Sequence, residues 1–146
     1  MAAEEKPEEI ERKLRDMVVE LRILEGNAQE LQSRLGTVEM ALREYNMAET
    51  TVKGLEQMEA DNEILVPVGG GTFIKAKIAD TDKLMVSIGA EVTTEKTAKE
   101  AVALLETRQA ELNSIRNSLQ KQFTQLLNRM QVLRGEIQRI TGSLRT

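Results

Sequence analysis

The sequence predicts a mainly α protein with a small β region: a long antiparallel two-helix coiled coil joined by two β-hairpins that assemble with hairpins of other chains. Three observations predict it. Residues 10–45 place apolar side chains at alternating steps of four and three. Residues 98–144 repeat that pattern with a polar interruption. Between them, short apolar runs are separated by glycine and aspartate. The expected segments are an N-terminal coil helix over 1–62, two hairpins forming an oligomerisation body over 63–96, and a C-terminal coil helix over 97–146, together one domain.

Composition agrees with long helices more than with a thick core. The 146 residues include no Trp, two Phe and one Tyr, yet 40% are hydrophobic and 30% charged. Aromatic side chains normally dominate core burial, so the apolar content here points to narrow aliphatic seams. The chain has no Cys and no His. Disulfides, thiolate or imidazole metal sites, and Cys–His or Ser–His catalysis are therefore excluded. No cofactor is expected. No run approaches the 18 apolar residues of a membrane span. Residues 1–11 are acidic where a secretory leader is basic and then apolar, which predicts a cytoplasmic protein.

The net charge of −4 is unevenly distributed. Residues 4–63 carry 16 acids against 8 bases, and residues 96–145 carry 9 bases against 4 acids. Two arms of opposite sign complement each other in a hairpin. The basic residues are dispersed and lack an aromatic stacking platform, so nucleic acid is not an expected partner.

In the first arm, Leu14, Leu21, Ala28, Leu35 and Leu42 take heptad position a, and Ile10, Met17, Leu24, Leu31, Val38 and Tyr45 take position d. Eleven consecutive seam positions without a charge are a coiled-coil signature. Glu49 occupies the next a position, where the seam weakens, and Val52 and Leu55 are expected to continue it in a changed register. Pro7 with Glu8 and Glu9 starts the helix, and Asn62 is its expected stop.

Residues 63–96 read as four short strands. Ile64–Val68 is apolar, Gly69–Gly71 turns the chain, and Thr72–Ile78 alternates, with Thr72, Ile74, Ala76 and Ile78 on one face. Asp80 and Asp82 make a second turn, Leu84–Ile88 a third run, Gly89–Ala90 a third turn and Glu91–Thr94 the last strand. The glycine run lacks the Lys-Ser/Thr ending of a phosphate loop, and two aspartates do not complete a calcium site. Small isolated hairpins are marginal in water, so these strands need partners across their open edges. Leu65, Val66, Val68, Phe73, Ile74, Ile78, Leu84, Val86 and Ile88 are the expected oligomerisation residues.

Thr97-Ala-Lys-Glu100 opens the second arm as a capping box. Its seam reads Ala98, Ala101, Leu105, Arg108, Leu112, Ile115, Leu119, Phe123, Leu126, Met130, Leu133, Ile137, Ile140 and Leu144. The steps of 3-4-4-3 from Leu112 predict a stutter, which unwinds a supercoil locally. Each arm of about 50 residues spans roughly 75 Å. Gly26, Gly54, Gly135 and Gly142 fall at f positions and Gly36 at b, outside the seam; compliance and drift are both open accounts of them.

The arm tips carry more apolar residues than one seam needs. Val18, Val19, Ile23, Leu127 and Val132 lie off it. Such a widened stripe marks a binding surface. The expected client-binding set is Ile10, Leu14, Met17, Val18, Val19, Leu21 and Ile23 on the first arm. On the second it is Met130, Val132, Leu133, Ile137, Ile140 and Leu144. The distal heptads are expected to fray and expose these residues.

Residues 65–96, LVPVGGGTFIKAKIADTDKLMVSIGAEVTTEK, resemble the alpha-class subunits of the prefoldin family. The Val-Pro-Val-Gly run, the Phe/Ile strand and the Val-Ser-Ile-Gly-Ala turn carry the resemblance, and the flanking arms match in length and periodicity. The second hairpin favours the alpha class, since the beta class has one. The resemblance implies a hexamer of two alpha and four beta subunits, with the hairpins forming a double β-barrel body. This chain would then meet a second copy of itself and beta subunits there. It also implies an ATP-independent holdase that grips unfolded proteins at the coil tips and passes them to a group II chaperonin. The alternative is a structural coiled-coil tether or scaffold. An enzyme is not expected, for want of a nucleophile–base set.

Overall fold

The computed structural model describes residues 6–145. The element order is α1 (Pro7–Leu55), β1 (Glu63–Gly69), β2 (Thr72–Lys77), β3 (Lys83–Gly89), β4 (Val92–Thr97) and α2 (Ala98–Arg145). It divides into two compact units, Met1–Glu39 with Ser114–Thr146, and Met40–Asn113.

The first unit is a two-helix coil. Its seam buries Ala28, Leu119, Met130 and Leu133, the last at 1% exposure. Arg129 at position g bonds Glu20 at g at 3.1 Å, and Arg134 at e bonds Glu25 at e at 3.2 Å. Pairing g with g and e with e across a seam is the antiparallel pattern. Here the acidic first arm and basic second arm meet as expected. These pairs are half exposed, so they direct register more than they stabilise.

The second unit holds the rest of both helices and the hairpins. The heptad of α1 continues unbroken through Glu49, whose side chain is 14% exposed, to half-buried Val52. Beyond Val52 the inward face passes to half-buried Leu55 while Glu56, the next regular position, is exposed, so the register changes as expected. α1 ends at Leu55, seven residues before the expected stop. Gly54 stands in its final turn, and the Gln57 and Met58 amides bond the Gly54 and Leu55 carbonyls in tighter turns. Glycine is weak helix-forming material, which accounts for the early end.

Each hairpin forms its own two-stranded antiparallel sheet. Val66 stands opposite Ile74 and Leu65 opposite Lys75 in the first; Val86 stands opposite Thr94 and Met85 opposite Glu95 in the second. Both tips have a two-residue loop with positive φ at each position: Gly70 and Gly71 (59° and 75°), and Ala90 and Glu91 (48° and 61°). That is the backbone a right-twisted tight hairpin requires.

The Thr97 cap forms, in a modified way. Its hydroxyl accepts from the Glu100 amide at 3.1 Å and donates to the Glu100 carboxylate at 3.2 Å. The α2 seam then differs from its expected course. Leu105, Gln109, Leu112, Arg116, Leu119, Phe123, Leu126, Met130, Leu133, Ile137 and Ile140 all face inward, in unbroken steps of four and three. Ile115 is turned out at 48% exposure, and Arg116 takes the seam. There is no stutter. The two courses share every seam residue from Leu119 to Ile140 and differ in this stretch only in whether Ile115 or Arg116 fills one layer.

Candidate functional site

Two surfaces stand out. The first is the pair of hairpins. In the first hairpin apolar residues are exposed on both faces: Leu65 (62%) and Phe73 (57%) on one, Val66 (39%) and Ile74 (55%) on the other. A cross-strand register that places Val66 against Ile74 makes one apolar face, and Leu65 and Pro67 with Phe73 make a second. Neither face is covered, and both sheet edges lack a ladder partner among the described residues. A surface with free edges and two bare apolar faces is a template for pairing.

The second hairpin has one half-buried face and one open face, which carries Met85 at 65% exposure. Leu84, Val86, Thr94 and Lys96 share a half-buried face. Arg108, expected in the α2 seam, instead sends its Nη2 to the Ser87 carbonyl at 3.0 Å and ties β3 to α2. Val68, Ile88 and Val92 stay half exposed near the tips.

Ile78 departs from the expected oligomerisation set. It is 8% exposed within the single chain. Its carbonyl accepts from Asp61 at 2.7 Å and its amide donates to the Asn62 carbonyl at 3.0 Å. These bonds fold it into the junction after α1, so it is already used inside the chain. Alternation placed it on the Ile74 face, but the strand stops at Lys77.

The second surface lies on the coil of the first unit. Val19 (55%), Ile23 (58%), Leu127 (43%), Val132 (51%) and Leu144 (52%) are exposed. Val19 and Ile23 are one helical turn apart and outward. Ile10, Leu14, Met17, Val18, Leu21, Ile137 and Ile140 are half-buried, and Met130 and Leu133 are closed off in the seam at 4% and 1%. Of the expected client-binding set, then, Val19, Ile23, Val132 and Leu144 are presented directly. Met130 and Leu133 reach a client only if the helices part. An open furrow of about 540 Å³ runs along one flank, lined by Leu24, Asn27, Leu31, Gln122, Leu126 and Arg129 among others.

A third feature escaped the sequence reading. In the second unit the Gln109 amide donates to the Glu49 carboxylate at 2.8 Å, and the Lys53 ammonium stands 2.8 Å from the same carboxylate. Glu106 lies 4.0 Å from Lys53. The hydrogen bond from Lys53, and then that from Gln109, holds the Glu49 carboxyl below the ordinary glutamate range. The clue was present: an acid and an amide each at an a position. Among the described residues no group of three or more acidic residues stands ready to hold a metal ion, and no helix is long and apolar enough to cross a membrane.

Two long helices joined by two open-edged hairpins define a class of coiled-coil proteins with β-hairpins exposed to partners. The chain belongs to the prefoldin family, whose subunit model matches residues 24–143. It is similar to prefoldin subunit alpha of Methanopyrus kandleri, 32% identical over 84% of this chain and 78% of that one. It is also similar to prefoldin subunit alpha of Methanococcoides burtonii, 33% identical over 82% and 87%. Its fold matches a chain of the filamentous prefoldin of Methanocaldococcus jannaschii with a TM-score of 0.68, at 23% identity over 80% of this chain and 96% of that one. The prefoldin beta subunit of Thermococcus strain KS-1 matches with a TM-score of 0.58, at 19% identity over 86% and 90%. Members of the family are chaperone subunits and not enzymes.

Proposed function

We propose that this chain is the alpha-type subunit of a cytoplasmic, ATP-independent holdase. Its hairpins assemble with those of a second copy and of beta subunits, two alpha to four beta, into a shared β-barrel body. The coil ends grip unfolded or nascent proteins, and the complex delivers them to a group II chaperonin.

The observation that carries this reading is the distribution of bare apolar side chains. They concentrate on the hairpins, at Leu65, Val68, Phe73 and Ile74, and on the outer coil of the first unit, at Val19, Ile23 and Val132. One group suits permanent association through strand edges. The other is adaptable, aliphatic and free of aromatics, as surfaces that accept many sequences are. Weak grips at several tips add up through avidity.

The test is aggregation suppression without nucleotide. A complex lacking residues 1–23 and 132–146 keeps its hairpins and should still assemble, yet lose most of its holding capacity. Unimpaired suppression by that truncated complex would place the client site elsewhere. The tether reading draws on the closed seam at Met130 and Leu133. It requires that the intact complex suppress nothing.

A further inference from the structure

We propose that Arg116 is a built-in weak layer of the coil, the point where the seam around it parts first. The α2 seam holds two polar residues one heptad apart, Gln109 and Arg116. Their circumstances are opposite. Gln109 is satisfied by the Glu49 carboxylate at 2.8 Å. Arg116 has its Nε buried with no hydrogen-bond partner among the described residues. The first-arm seam from Leu14 to Tyr45 contains only apolar residues, Tyr45 included, and therefore no carboxylate to receive a guanidinium.

Layers around Leu119, Met130 and Leu133 lose apolar burial when the helices separate. The Arg116 layer behaves differently. Separation lets water reach a buried N–H that has no partner, and recovers part of its desolvation penalty. A buried unsatisfied donor in an otherwise regular seam thus lowers the cost of local opening at that layer. Ile115, turned out at 48% exposure beside it, would have filled the seam had the heptad been broken. The chain instead keeps the heptad and accepts the charge.

This deepens the holdase reading and rests on it in one respect: opening is useful only if clients bind seam side chains. Hydrogen exchange tests the opening itself, on the full-length chain in its assembled form with no client present. Wild-type amides over 112–120 should exchange faster than those over 126–133. Arg116→Leu should slow exchange over 112–120 by roughly tenfold, in line with relief of one unsatisfied buried group. Arg116→Lys, which puts a methylene where the buried Nε–H stood, should slow exchange in the same direction. No slowing by Leu, or slowing by Leu but none by Lys, overturns the proposal. So does wild-type protection over 112–120 that matches 126–133. A chain that opens at Arg116 yet never suppresses aggregation would sink the holdase reading and leave the weak layer standing.

Discussion

The Gln109 amide and the Glu49 carboxylate meet at 2.8 Å across the coil of the second unit, each from an a position of its helix. A polar pair in a leucine-rich seam stabilises little, but it is satisfied in one register and stranded in others. Glu49→Leu alone strands the part-buried Gln109 amide and should lower the melting temperature by a few degrees. Glu49→Leu with Gln109→Leu should restore or exceed wild-type stability. Because the chain has no Cys, spin labels on Asn46→Cys and Ala110→Cys can report register. The double-leucine variant should broaden a single distance into a distribution reaching about 10 Å further, one heptad of rise. A single unshifted distance would mean that the pair does not select register.

The same pair gives a pH dependence. The folded Glu49 carboxyl titrates below its ordinary value, chiefly through the Lys53 hydrogen bond. Its contribution is therefore present above the unfolded glutamate value of about 4.3 and is lost as pH falls through the lower folded value. Acid melting curves of Glu49→Gln should be flatter below about pH 4.3 than those of wild type. Parallel curves would show that the carboxylate is not coupled to folding.

Val66 and Ile74 face each other on an uncovered side of the first hairpin. Val66→Asp or Ile74→Asp should dissociate the assembly on sizing while leaving helix content by circular dichroism unchanged. Ile78→Asp should behave differently and destabilise the chain itself, since Ile78 is 8% exposed there. An intact assembly carrying Ile74→Asp would remove this face from the interface.

Val19, Ile23 and Val132 project outward from the first unit. Replacing all three by Ser should cut aggregation suppression severalfold and change stability by only about 0.5 kcal/mol per site. Capture should weaken little between 0.1 and 1 M salt, where the screening length falls from about 10 to about 3 Å. A steep salt dependence would move the grip to the charged faces.

The Thr97 hydroxyl accepts the Glu100 amide at the start of α2. Thr97→Ala should cost about 1 kcal/mol in thermal or denaturant unfolding, and Thr97→Ser should restore most of it.

Helices, cap, hairpins and off-seam aliphatics were legible because each rests on local periodicity or turn chemistry. Ile115 and Arg116 were assigned the wrong way round because side-chain polarity was allowed to outrank the heptad. Counting back from Leu119 in steps of three and four reaches Arg116 and then Leu112. Gly54 read as an f-position residue inside α1, although a glycine near a fading seam also marks an end. Ile78 could not be placed, since its burial depends on backbone bonds to Asp61 and Asn62 that no alternation encodes.

The two hairpin tips share one backbone shape but not one composition. Gly70 and Gly71 adopt positive φ freely, whereas Ala90 and Glu91 each meet a steric penalty of about 1–2 kcal/mol there. The turn of the first hairpin therefore adds no such strain, and that of the second does. The Arg108 bond to the Ser87 carbonyl holds the second hairpin against α2 and helps to offset it. One backbone shape is thus free at one tip and held at the other, so glycine at positions 90 and 91 would relieve strain that the first tip does not carry.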